Sequence, residues 1–248
     1  MLRTAGALAF LALWQLAPLF MGNSAVLLAT PLQVIARLYE LVTGGGFFAH
    51  IAFSLARIAL GFTLAVAAGV LFAALSARFS VAEALIRPYI TVSKTVPVAS
   101  FIVLALIWLS SSALPVFISF LMVLPVIYTN TLEGIRSADE KLLLAARVFR
   151  VPVARRVRYI YIPALRPHLI SGARVGAGMA WKSGIAAEVI GIAAGSVGEQ
   201  LYFSKVYLDS AELLAWTAAV VAVSIAFEKL FLLMLDLVFA GVKKQWTR

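Results

Sequence analysis

Residues 139–163 read DEKLLLAARVFRVPVARRVRYIYIP, and the nature of this stretch decides how the rest of the chain is arranged. It carries Lys141, Arg147, Arg150, Arg155, Arg156 and Arg158. Each such charge at the centre of a bilayer costs about 2.5–3.5 kcal/mol on insertion scales, so the stretch cannot cross a membrane. Its apolar residues nevertheless recur at helical spacing. Leu142, Leu143, Ala145, Ala146 and Phe149 share one face, and Asp139 and Glu140 occupy a first turn, where the helix dipole favours acids. Val151-Pro152 ends the helix, because the residue before a proline is disfavoured in the α region. The spacing predicts a short amphipathic helix over 137–149 and a basic return segment to Pro163, both in water beside a membrane. Taken alone, such a helix reads as a lipid-surface helix or as a docking surface for another protein.

The composition supplies the membrane. Of 248 residues, 63% are hydrophobic and 13% charged, and the mean hydropathy is +1.00. A soluble domain averages about 45–50% apolar and about 25% charged, so the chain reads as an all-α integral membrane protein, residues 1–248 forming a single transmembrane domain. The net charge of +10 would suggest nucleic acid in a soluble protein. Here it fits basic loops touching anionic lipid, and no nucleic-acid partner is expected. There is no cysteine and there are only two histidines, His50 and His168, which disfavours thiolate or histidine metal sites.

A span needs about 20 mainly apolar residues. The first is expected at 4–21, although a basic start followed by an apolar run also describes a signal peptide. Thr30 as N-cap, Pro31 at the first helical position and Gly44-Gly45-Gly46 past the end predict a short extracytoplasmic amphipathic helix over 31–43. Further spans are expected at 51–77, 89–110, 113–130, 169–192 and 213–239. Pro97 enters the third, and irregular backbone at membrane depth survives only where protein or a water-filled cavity covers it, so Pro97 is a candidate for lining a path. The second span carries Gly61, Ala65 and Gly69, and the fifth Gly172, Gly176, Ala180 and Gly184: small-residue faces suited either to sliding or to static close packing. With both termini cytoplasmic, only Arg37 and Lys205 are basic in outside loops, which satisfies the positive-inside rule for six helices.

No phosphate-cradling G-x-x-x-x-G-K-[ST] loop is present, and paired carboxylates, Ser-His-Asp sets and metal spacings are likewise not apparent, so no catalytic, cofactor or metal site is expected in this chain. The informative charge is Lys182, which counting places near mid-membrane. It either pairs with Glu228 of the sixth span or faces an anionic substrate; Trp181 and Ser183 beside it are further pathway candidates. Arg57, Arg174 and Lys229 read as helix anchors.

The loop also resembles the cytoplasmic E-A-A-x3-G-x9-I-x-L-P segment between the fourth and fifth core helices of permease subunits of bacterial ABC importers. Ala145-Ala146 match its alanines, and the family spacing lands on Ile160, Ile162 and Pro163. Other pieces resemble the nitrate, sulfonate and taurine branch: Ser54-Leu55-Ala56-Arg57 with Gly61-Phe62, Pro97, residues 130–136 (NTLEGIR), Ala180-Trp181 and Ala187-Glu188. Two positions depart from the pattern. Leu144 replaces a glutamate and removes an acidic contact; Arg150 replaces a glycine and suggests a helix exit set by Pro152 instead.

The resemblance implies a cytoplasmic coupling helix within 137–163, with Leu142, Leu143, Ala145, Ala146, Phe149, Arg150 and Pro163 docking an ATPase. It implies a second permease copy, two ATPase subunits that carry ATP and Mg, and an extracytoplasmic substrate-binding protein. Nitrate, sulfonates, bicarbonate, and pyrimidines or other small heterocycles are the substrates of that branch. A secondary carrier using Lys182, Glu188 and Glu228 as a charge relay, or a membrane scaffold, remain the other readings.

Overall fold

The computed structural model of the chain describes residues 29–244, together with Gly6, Ala9 and residues 12–16. The expected span over 4–21 lies almost wholly outside the described residues. Residues 12–16 are helical, and the Trp14 indole donates to the Ala29 carbonyl at 3.1 Å.

All the described secondary structure is helical. Helix α1, Pro31–Thr43, starts in a capping box: the Gln33 amide donates to the Thr30 hydroxyl and the Thr30 amide to the Gln33 side chain, with Pro31 in the first turn. Gly45 and Gly46 then take φ of 87° and 82°, a left-handed turn that glycine adopts without penalty, and the chain enters α2, Phe47–Arg78. Helices α3, Ser80–Thr95, and α4, Val98–Ala105, follow, bent by 105° at Val96-Pro97. The 89–110 segment is therefore divided between two helices and a turn, not one continuous rod. Val96 is extended, as the residue before a proline is driven to be.

Helix α5, Leu114–Arg136, is the centre of the bundle, with most of its residues buried. Helix α6, Glu140–Val148, lies in the basic loop; the short α7, Val153–Arg156, and a π-turn over Val157–Tyr161 lead directly into α8, Ile162–Gly191. Helix α9, Val197–Val206, precedes the long α10, Ser210–Lys244. Three of these helices are long and apolar enough to cross a membrane: α2, α5, and α10 over Ser210–Phe239; the bent α3/α4 pair makes a fourth if counted as one span. Helix α8 has 30 residues, ample length, but is interrupted by Arg166, Arg174, Lys182 and Glu188.

The small-residue faces of α2 and α8 both press on α5. A methyl group at Gly61 would collide with the Val116 carbonyl, one at Gly69 with Ile127, and one at Gly172 with Asn130. Where these helices meet, Ile58, Phe62, Val123, Ile127 and Trp181 form the largest core cluster. Ion pairs hold the ends: Arg37–Glu212 at 2.7 Å at one end of α10, Arg166–Asp236 at 2.9 Å near the other, and Arg136–Glu83 at 2.6 Å between α5 and α3. Glu212, and then Glu40, hold the Arg37 guanidinium further above its ordinary pKa, so the outer pair stays charged. Because the Gly61 contact is with backbone, Gly61→Ala is expected to lower stability by about 1–3 kcal/mol, the usual cost of overpacking. A thermal melt of the purified chain in detergent checks this, and an unchanged midpoint contradicts it.

Candidate functional site

Asp139 caps α6, its carboxylate accepting from the Lys141 amide at 2.8 Å. The helix lays Ala146, 7% exposed, against the bundle and turns the rest of its apolar residues outward: Leu142, Leu144, Val148 and Phe149, the last at 79%. Leu143 is half-buried, Ala145 exposed, and Pro163 exposed in the first turn of α8. These side chains are more than half exposed among the described residues, Val148 and Phe149 the most. Exposed apolar residues of this size on a helix held against a membrane domain describe a surface for another protein or for lipid.

The exit of α6 corrects the expectation that Pro152 alone would set it. Arg150 itself adopts φ +50°. Its amide donates to Arg147 O at 3.0 Å and the Val151 amide to Ala146 O at 2.9 Å, the paired bonds of a Schellman cap with Arg150 in the left-handed position. The backbone thus makes a glycine-type turn with an arginine in it, and Pro152 follows the turn. Since a non-glycine residue in this region costs about 1 kcal/mol or more, Arg150→Gly is expected to stabilise the loop by about 1 kcal/mol. Slower amide hydrogen exchange at Arg147 to Val151 is the measurement; faster exchange would refute it.

The pathway candidates do not converge. Trp181 is buried against Phe227, with ring centroids 6.2 Å apart, and Ser183 is buried with its hydroxyl 3.4 Å from Ala180 O. Lys182, between them, points out of the chain, and Pro97 is exposed at the α3/α4 bend. The expected Lys182–Glu228 pair does not form: Glu228 faces Arg174 Nε at 3.5 Å, two turns along α8, and Lys182 has no ion pair among the described residues.

A second polar centre joins residues far apart in sequence. Glu188, fully buried near the end of α8, accepts through Oε2 from the Ser54 hydroxyl at 2.7 Å and from the Gly198 amide at 3.2 Å. Ser54 in turn accepts from the Val197 amide at 2.9 Å. The carboxylate therefore caps α9, which begins at Val197, and ties it to α2; a negative group at a helix N-terminus meets both the free N–H groups and the positive end of the dipole. Gly198 has no alternative, since a Cβ there would overlap Glu188 itself. Arg57, one turn from Ser54, stacks over Phe53 with its guanidinium carbon 3.2 Å from the ring centroid. Glu188→Ala leaves two buried donors without an acceptor and is expected to cost about 1–3 kcal/mol per unmet donor, whereas Glu188→Gln keeps an oxygen for Ser54 or Gly198 and costs less. Thermal midpoints of the two variants check this ordering, and equal losses would contradict it.

The described residues define a polytopic helical membrane protein that displays an amphipathic helix between two of its membrane-embedded helices. Residues 65–244 match the family model of the binding-protein-dependent transport system inner membrane component, and the chain belongs to that family. It is 30% identical over 187 residues to a Bacillus subtilis (strain 168) protein provisionally named as an aliphatic sulfonates transport permease, covering 75% of this chain and 67% of that one. It is 28% identical over 203 residues to the bicarbonate transport system permease protein of Synechococcus elongatus, covering 77% and 72%. It is likewise 28% identical over 192 residues to the nitrate import permease protein of the same organism, covering 73% and 68%. The chain is an ABC transporter permease of the nitrate and sulfonate branch.

Proposed function

We propose that the chain forms, with a second permease copy, the translocation path of an ATP-driven importer for a small anionic or heterocyclic solute, in the bacterial cytoplasmic membrane. In this reading six helices cross the membrane with both termini in the cytoplasm. Helix α6 is the coupling helix, and an extracytoplasmic binding protein delivers the solute. The observation that carries it is the outward apolar face of α6, made by Leu142, Leu144, Val148 and Phe149, in the loop that resembles the ATPase-docking segment of such permeases. The solute class rests on the names of the sulfonate, bicarbonate and nitrate relatives.

The mechanism follows from rigid parts. ATP and Mg bind on the partner ATPases and supply the chemistry there; this chain receives only a displacement at α6. Through the Schellman turn at Arg150 and the return segment, α6 is continuous with α8, so a push on the loop moves α8 and the helices packed on it. A bistable packing of two such bundles then opens to one side or the other. Lys182, exposed on α8 without an ion pair among the described residues, is the group placed to meet an anion between two copies. The lipid-surface reading of α6 is weaker, because its exposed apolar residues end in the rigid cap.

Truncating an interface anchor commonly costs 2 kcal/mol or more, so Phe149→Ala is expected to weaken ATPase association about thirtyfold. Lys182→Met is expected to abolish uptake while leaving ATPase association intact. Co-purification with the ATPase and solute uptake into proteoliposomes read both. Unchanged association in Phe149→Ala together with Ala145→Trp would overturn the docking role, and uptake that persists with the ATPase disabled would favour a secondary carrier.

A further inference from the structure

Behind the loop, where α2 and α5 end, the chain encloses an open cavity of about 610 Å³. Its charged lining comes from three separate elements: Arg78 at the last turn of α2, Arg147 on α6, and Arg156 on α7. No carboxylate lines it, and none of the three arginines has an ion pair among the described residues. Four other arginines, Arg37, Arg136, Arg166 and Arg174, each face an acid; what sets the three apart from the remaining arginines without an ion pair among the described residues is that they line one cavity. Two further atoms on the cavity lining are buried and lack partners. Thr131, fully buried on α5, has no hydrogen bond to its Oγ1, and Arg156 Nε is buried without an acceptor. Buried donors of this kind are normally satisfied, and the described residues supply an acceptor to neither.

The remaining walls are apolar, from Val70 and Ala74 on α2, Ile135 on α5, Val157 in the π-turn, and Leu165 on α8. At about 30 Å³ per water the volume holds about twenty waters, far more than a single oxyanion displaces. We propose that this cavity is a binding site for a phosphate-type oxyanion, presented by the headgroup of an anionic phospholipid whose glycerol and first acyl carbons lie against the apolar wall. Arginine forks fit phosphate oxygens bidentately, and basic pockets at the inner ends of membrane helices suit anionic headgroups. The occupant would touch α2, α5, α6 and α7 together, tying the loop to the spans through a molecule of the membrane itself.

The test uses the full chain, purified in a zwitterionic detergent and offered an equal mixture of phosphatidylglycerol and phosphatidylcholine, with retained lipid counted by native mass spectrometry. Inorganic phosphate is titrated in parallel by calorimetry. Wild type is expected to retain phosphatidylglycerol about tenfold over phosphatidylcholine, and Arg78→Gln with Arg156→Gln to lose that preference. Arg155→Gln, one residue from the site but outside its lining, is expected to keep it. Phosphate binding that depends on Arg78 and Arg156, without lipid retention, would assign the same site to a free anion. Should the double variant fold poorly, Arg156→Lys serves: it keeps the charge but loses the fork and the Nε donor, and a fall in retention of about tenfold is expected. Retention of neither ligand above the variants, or an equal loss in Arg155→Gln, overturns the proposal.

Discussion

The bundle depends on how closely α2 and α8 approach α5. Within lipid there is little hydrophobic reward for bringing helices together, because the tails are as apolar as leucine; association comes from van der Waals contact and from polar groups that find partners. Gly61, Gly69, Gly172 and Gly184 let backbones and β-carbons meet, so that Val116, Ile127, Asn130 and Ile58 fill the space a side chain would take. Everything else is hung on this three-helix slab. Helix α6 is anchored by the buried Ala146, α9 by Glu188, and α10 covers a flank with phenylalanines 227 and 231 against Phe62. These small faces are close-packed seams between α5 and its neighbours in this arrangement.

Polar groups inside the bundle are few and purposeful. Glu188 does for α9 what water does for a helix end in solution, and it does so by reaching across to α2 through Ser54. The Ser54 hydroxyl accepts the Val197 amide while donating to the carboxylate, the carboxylate takes the Gly198 amide, and the N-cap Ser196 takes that of Glu199. Because α9 lies at the end of the bundle away from the basic loop, this centre and the arginine cavity sit at opposite ends of the same helices, α2 and α8.

Features carried by local pattern were legible from residues alone. The basic loop, the capping residues Thr30 and Pro31, and the glycine faces each depend on spacing within one turn or a few, and those patterns survive folding. What depends on a partner distant in the chain was not legible. Ser54 and Glu188 were each noticed as separate fragments, but 134 residues separate them and no periodicity links them. Glu228 was offered as a partner for Lys182, whereas the register between α8 and α10 sets it two turns along α8, beside Arg174. Arg150 was misjudged for a different reason: propensity argues against a left-handed arginine, but the two cap hydrogen bonds and the burial of Ala146 outweigh a local penalty of about 1 kcal/mol. The 105° break at Pro97 shows the reverse, a local signal that was present and whose size only the backbone could set.

Helix α10 buries Ala215, Trp216 and Ala219 near its start, and beyond them its leucines and valines face outward along much of its length. Of its three ion pairs among the described residues, at Glu212, Glu228 and Asp236, the outer two are separated by about 36 Å of helix at 1.5 Å per residue, against about 30 Å of hydrocarbon. The helix between them is long enough to cross that thickness, and the Arg174–Glu228 pair ties it to α8 along the way. A helix longer than the hydrocarbon is thick accommodates by tilting, and Arg37 and Arg166 are the contacts through which such a tilt would reach α1 and the start of α8.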